Sequence, residues 1–121
     1  MIKYTIKGET PSKKNSRNIF VRGGRPVNIP SKNYKEWHDD AVNQLQAQGA
    51  KPFPEKEVSI TVVFYPRTLR PFDLSNKLES VADLLVDCGI IEDDNWKIVP
   101  EISAKIGIKD KDNPRAEIFL I

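Results

Sequence analysis

The sequence predicts an α+β fold, with a mixed or antiparallel sheet of four to five strands and two main helices. Three observations carry this expectation. Short runs rich in β-branched residues recur along the chain, and two longer stretches repeat apolar residues every three or four positions. The two kinds are interleaved in an order that is neither a steady β–α alternation nor a segregation of strands from helices. A chain of 121 residues supports one core and is short for two. With 39% hydrophobic and 30% charged residues it reads as a single soluble globular domain, 1–121, and not as a disordered chain.

Ile2 to Lys7 alternates apolar and polar residues, as a half-buried strand does. Thr10-Pro-Ser-Lys-Lys-Asn-Ser is a loop by composition. Asn18 to Ile29 reads as a hairpin turning at Gly23-Gly24 and closed by Pro30. Ser31 is placed to cap a helix over about Lys32 to Gln48, where Tyr34, Trp37, Ala41, Val42 and Leu45 share a face and Gly49 stops it. After the proline-marked linker Lys51 to Pro54 comes the strongest strand, Val58 to Tyr65, whose continuous apolar section suits a central position. Arg67 to Phe72 is a basic loop. A second helix is expected over about Ser75 to Asp87, burying Leu74, Leu78, Val81, Leu85 and Cys88 and ending at Gly89. Ile98 to Ile108 and Ala116 to Ile121 are the last two strands, joined by a turn at Lys109-Asp-Lys-Asp-Asn-Pro.

The lone Cys88 excludes an intramolecular disulfide and fits a reducing compartment. The first residues contain no apolar leader core, and no run approaches the ~20 apolar residues of a membrane span. The expected location is the cytoplasm, with no membrane partner. A net charge of +2 hides an uneven distribution. From Met1 to Lys35 the bases are Lys3, Lys7, Lys13, Lys14, Arg17, Arg22, Arg25, Lys32 and Lys35, against a single acid, Glu9. Asp73 to Glu101 is acidic. A basic arm beside an acidic pocket suits a phosphodiester substrate, with cations on the backbone and acids on a metal.

The acids gather around the second helix: Asp73 before it, Glu79, Asp83 and Asp87 at a spacing of four within it, and Glu92, Asp93 and Asp94 after it. Clustered carboxylates repel unless a cation neutralises them, and Mg²⁺ beside a phosphate is the chemistry that suits. Each acid also has a plainer role. Asp73 could cap the helix, Asp83 and Asp87 could face solvent, and Asp93 and Asp94 could form an Asx turn. His38-Asp39-Asp40 offers no metal site, because adjacent helical side chains diverge. No Gly-rich phosphate loop, zinc spacing or nucleophile elbow is present.

Asp73-Leu-Ser-Asn76, an apolar helix, Gly89 and the pair Asp93-Asp94 together resemble the RusA family of Holliday junction resolvases. Pro11-Ser12-Lys13-Lys14-Asn15 is similar to the polar Pro-Ser-Asn loop of that family, and Tyr34 in the helix after Ser31 fits as well. The resemblance covers essentially the whole chain. It implies a small, homodimeric endodeoxyribonuclease, often prophage-encoded, that cuts four-way DNA junctions with Mg²⁺ (Mn²⁺ as a substitute) in recombination and repair. It implies catalytic and metal-binding roles for Asp73 and Asp94 and a helix-start role for Asn76. Ser75 departs from the pattern, since many relatives carry a second aspartate there. Glu79 departs too, standing where the best-known member has a catalytic lysine. Glu79 could restore the missing carboxylate, Lys77 the missing cation, and the Ser75 hydroxyl could ligate the metal or hold its water. Lys13, Lys14, Asn15, Arg17, Arg67, Arg70 and Asn76 are the DNA-contact candidates. Trp37 or Trp96 could stack on an unpaired base, with Trp37 better suited to the core. Two further readings stay open: a junction-binding protein that does not cut, because Ser75 removes an acid, and an interaction protein whose acidic helix faces another protein.

Overall fold

The computed structural model describes residues 1–12, 17–22 and 25–121, and of 17–22 and 25–30 the backbone alone. The strands are β1 (Ile2–Lys7), β2 (Arg17–Arg22), β3 (Arg25–Pro30), β4 (Ser59–Tyr65), β5 (Glu101–Ile106) and β6 (Arg115–Leu120). The helices are α1 (Lys32–Ala47) and α2 (Leu74–Asp87). Four strands form one mixed sheet in the order β1-β6-β4-β5, and β2 and β3 form a separate antiparallel ribbon. The fold is α+β, as expected, and β4 is central: it pairs antiparallel with β6 and parallel with β5. The expected hairpin is present as β2–β3, and its Gly23-Gly24 turn lies outside the described residues.

A parallel pair needs a crossover, and α2 supplies it between β4 and β5. Ile60, Val62 and Phe64 of β4 point into the core with Ala116, Ile118 and Leu120, while α1 and α2 contribute Tyr34, Trp37, Ala41, Leu45, Val81, Leu84 and Leu85. The Ser31 hydroxyl accepts from the Tyr34 N–H at 3.2 Å, closing the first turn of α1. Gly49 and Gly89 adopt φ of +73° and +70° just past the two helices, the left-handed stop that favours glycine. Among the described residues no helix is long and apolar enough to cross a membrane.

The two sheet edges are treated differently. On β1, Gln44 and Gln48 of α1 act as a substitute strand. Their side-chain oxygens accept from the N–H of Lys7 (2.7 Å) and Thr5 (2.9 Å), and their amide nitrogens donate to the Lys7 and Thr5 carbonyls at 3.0 and 2.7 Å. That edge is closed. No described strand follows β5, so the other edge is open.

Two expected elements differ in detail. The last-but-one strand begins at Glu101 and not at Ile98, because the N–H groups of Ile98 and Val99 donate to the Asn95 carbonyl and fold that stretch into a turn. The buried face of α2 is rotated from the expected stripe. Lys77, Ser80, Val81, Ala82, Leu84 and Leu85 are buried, while Leu74, Leu78 and Cys88 are only half-buried. The cause is the segment Gly8–Ser12, which crosses the first half of α2, so that the Ser80 hydroxyl donates to the Pro11 carbonyl at 2.7 Å. Burial raises the Cys88 thiol, and Asp87 adds to the effect, as suits a packing residue and not a nucleophile.

At the end of β4 the Tyr65 ring lies under the Arg115 guanidinium, 4.0 Å from the ring centroid. Arg115 also donates to Glu117 at 3.0 Å and Asp110 at 2.9 Å. A Cβ on Gly107 would meet the same ring at 2.5 Å. Gly107→Ala is therefore expected to lower stability by about 1–3 kcal/mol through displacement of Tyr65, read as a lower urea midpoint.

Candidate active site

The loop between β4 and α2 is held at both ends. Pro66 accepts from the Asp110 N–H at 2.8 Å, and the Arg70 N–H donates to the Thr68 hydroxyl at 3.3 Å. It delivers Asp73 as the N-cap residue of α2, with φ −81° and ψ 114°. The Asp73 carboxylate makes no capping bond to the helix N–H groups. It accepts instead from the Asn76 side-chain amide at 3.2 Å. The capping role open to Asp73 from sequence is thus not the one adopted.

Asp73 is exposed and lines an open cleft of about 410 Å³ with Glu9, Ser12, Thr68, Arg70, Pro71, Phe72 and Lys77. Lys77 is 8% exposed. Its ammonium stands 3.8 Å from the Phe72 ring centroid and 3.7 Å from Glu9 Oε1. Burial pushes its pKa down from the ordinary lysine value, and the charge and hydrogen bonding of Glu9 act against that shift. The site thus contains an exposed carboxylate and a desolvated cation four residues apart, one turn of helix. Glu9 was not among the sequence candidates. Its carboxylate also accepts from the Arg67 N–H, at 3.3 and 3.4 Å to its two oxygens, so it ties the N-terminal segment to the β4–α2 loop. The available signal was its isolation, as the one acid in a basic stretch.

Of the residues singled out from sequence, Asp73, Arg70 and Lys77 share this cleft. Arg67 is exposed, with its backbone on Glu9. Ser75 and Glu79 are on the exposed face of α2 and are not among the residues lining the cleft. Lys13, Lys14 and Asn15 lie outside the described residues, as does the side chain of Arg17. Trp37 is in the core, and Trp96 is 75% exposed. His38 bonds across to α2, 2.9 Å from Asp87 Oδ2.

Asp94 is exposed in the turn after α2. Its neighbour Asp93 organises that turn, accepting from the Asp94 N–H at 2.7 Å and the Asn95 amide at 2.8 Å. The Asn95 bond first, then the Asp94 bond, hold Asp93 below the usual carboxylate range. The turn packs at the start of β4, since Ile98, bonded to Asn95, accepts from the Val58 N–H at 2.8 Å. Asp73 lies beyond the end of β4, where Leu74 and Ile106 line one cleft with Pro66. The 14 residues of α2 span roughly 21 Å and the seven of β4 roughly 23 Å. One copy of the chain therefore keeps Asp73 and Asp94 at opposite ends of the α2–β4 layer. Among the described residues, no three His, Cys, Asp or Glu side chains converge as a metal cluster.

A small α+β protein with an exposed carboxylate between Arg70 and Lys77 belongs, by its chemistry, with proteins that can engage phosphate esters. The family model for the endodeoxyribonuclease RusA matches residues 9–121, and the chain belongs to that family. No curated protein matches it. Membership implies endodeoxyribonuclease activity of the Holliday junction resolvase kind, on branched DNA.

Proposed function

We propose that the protein is a Mg²⁺-dependent endodeoxyribonuclease that resolves four-way junctions by paired phosphodiester hydrolysis, as a cytoplasmic homodimer. The observation that carries this reading is the exposed, uncapped Asp73 carboxylate in a cleft it shares with Arg70 and Lys77. Mg²⁺ takes hard oxygen ligands, keeps several waters and needs one or two carboxylates, a demand that Asp73 and Asp94 together fit. When bound, the ion supplies Lewis-acid activation of a water and charge neutralisation at phosphorus and the leaving 3′-oxygen; Mn²⁺ would substitute.

The chain's own residues orient the strand. Arg70 and Arg67 hold phosphate oxygens, and Lys13, Lys14, Asn15 and Arg17 stay DNA-contact candidates on their sequence alone. Lys77, desolvated on Phe72, offers a fixed positive charge to the phosphate beside Asp73. Asn76 keeps the Asp73 carboxylate oriented. Ser75 and Glu79 lie one helical turn apart on the solvent side, outside the cleft lining, and would serve the metal only as outlying oxygen donors. Because one copy holds Asp73 and Asp94 apart, the pair serving one scissile phosphate would come from two copies: Asp73 of one and the partner's Asp94. A two-fold dimer then carries two such sites, one for each strand cut.

A second reading is a protein that binds junctions without cutting them, favoured by the serine at position 75. A labelled four-way junction separates the two. Symmetric paired nicks with Mg²⁺ that vanish in EDTA support the nuclease. A gel shift with no nicks under either condition supports the binder and overturns the nuclease.

A further inference from the structure

A second recess adjoins the active-site cleft and differs from it in chemistry. Its volume is about 220 Å³. Thr68, Arg70, Pro71 and Phe72 line both spaces and so form the wall between them. The cleft adds charged groups to that wall: Asp73, Glu9 and Lys77. The recess adds apolar ones, among them Leu69 and Ile106, which are 81% and 52% exposed. Arg70 is the one charged side chain among the described residues that line it. The Thr68 hydroxyl is the other polar side-chain group, and it already accepts from the Arg70 N–H at 3.3 Å. The loop that builds the recess is fixed at its start, since the Pro66 carbonyl accepts from the Asp110 N–H at 2.8 Å and the Arg67 N–H donates to Glu9. The recess is therefore preformed, and its apolar side chains are left in water.

We infer that this recess receives one nucleobase of a branched DNA strand, turned out of its stack, while the phosphate beside that base lies in the Asp73 cleft. The inference rests on the reading of that cleft as a DNA site given above. A nucleotide joins an anionic phosphate to a flat, largely apolar base. The two spaces offer a matching pair of surfaces across one wall, and Arg70 contributes its charge to both. The size agrees. Pockets for drug-sized molecules run to about 300–1,000 Å³, so a recess below that range suits a single ring system. An apolar protein surface is the poorer occupant, because laid over Leu69 and Ile106 it would also cover Arg70, the residue that the cleft presents to phosphate. The recess bears on substrate choice. In a continuous duplex the base is paired and stacked, and turning it out is costly, whereas at a branch point the stack is already interrupted. Filling the recess therefore favours branched over linear DNA. With no amide or carboxylate side chain in its described lining, the recess senses an unstacked base and not its identity.

The test couples the protein side to the DNA side. Four-way junctions carrying one abasic residue, moved position by position through the branch point, are compared with the intact junction and with a linear duplex in gel shifts run in EDTA. Leu69→Ser removes an exposed apolar side chain and should leave the urea midpoint unchanged. It should weaken binding of the intact junction by about three- to tenfold and of the duplex by less than about twofold. On the junction that is abasic at the occupied position, the same substitution should cost less than about twofold, because the contact is already missing. Ile106→Thr should repeat the pattern. Equal losses on intact, abasic and duplex DNA, or no loss on any, overturn the recess as a base site. They leave the nuclease standing, since that reading is scored separately by paired nicks with Mg²⁺. Coupling of Leu69 to one base position without any nicks keeps the recess and overturns the nuclease. A wild-type protein that shifts no junction at all overturns both.

Discussion

Asp73→Asn is expected to reduce junction cleavage by at least about 10²–10³-fold, the loss seen when one preorganised contributor to a charged transition state is removed. Binding of the junction should persist or tighten, because the change deletes a negative charge from a cleft whose other charged residues are Arg70 and the ion pair of Lys77 with Glu9. Folding should be almost unaffected, within about 0.5 kcal/mol. The side chain is exposed and caps no helix N–H, and an asparagine oxygen can still accept from the Asn76 amide. The measurement combines three readouts on one protein: paired nicks on a denaturing gel, affinity by gel shift, and the urea midpoint. Cleavage near the wild-type rate would remove Asp73 from the reaction. A large fall in the urea midpoint would make its role structural.

Much of the fold was legible because local signals and tertiary demands agree. Ser31 caps α1, Gly49 and Gly89 stop the helices, and the β-branched run of β4 lies between two neighbours, which is where a strand apolar on successive residues belongs. What was not legible depends on long-range contacts. Apolar periodicity on α2 could not anticipate that Lys77 and Ser80 turn inward. Their partners are Glu9 and Pro11, and the Ser80 contact spans 69 positions in sequence. Periodicity also assigned Ile98 and Val99 to a strand, when their burial serves a turn. For the site, the aspartate at the head of α2 and the basic loop before it could be read directly. The distance between Asp73 and Asp94 could not. It depends on whether β5 returns parallel or antiparallel to β4, and strand composition does not encode that choice.

That parallel return leads to the second large effect, which appears only in a mixture. Asp73→Asn and Asp94→Asn are each expected to be inactive alone, since every site in either homodimer lacks one carboxylate. Mixed and allowed to exchange, they should regain roughly a quarter of the wild-type nicking, because about half of randomly paired dimers are heterodimers and each holds one intact site. The intact site joins Asp73 from the Asp94→Asn copy with Asp94 from the Asp73→Asn copy, and the other site in the same dimer lacks both. One working site per dimer also changes the product. Single nicks should appear without the paired, ligatable cuts of the wild type. Were both carboxylates supplied by the same chain, no pairing of these two variants could rebuild a site, and the mixture would stay as inactive as its parts. The separation of the two acids along α2 and β4 supports the two-copy site, so regained single-strand nicking is the expected result.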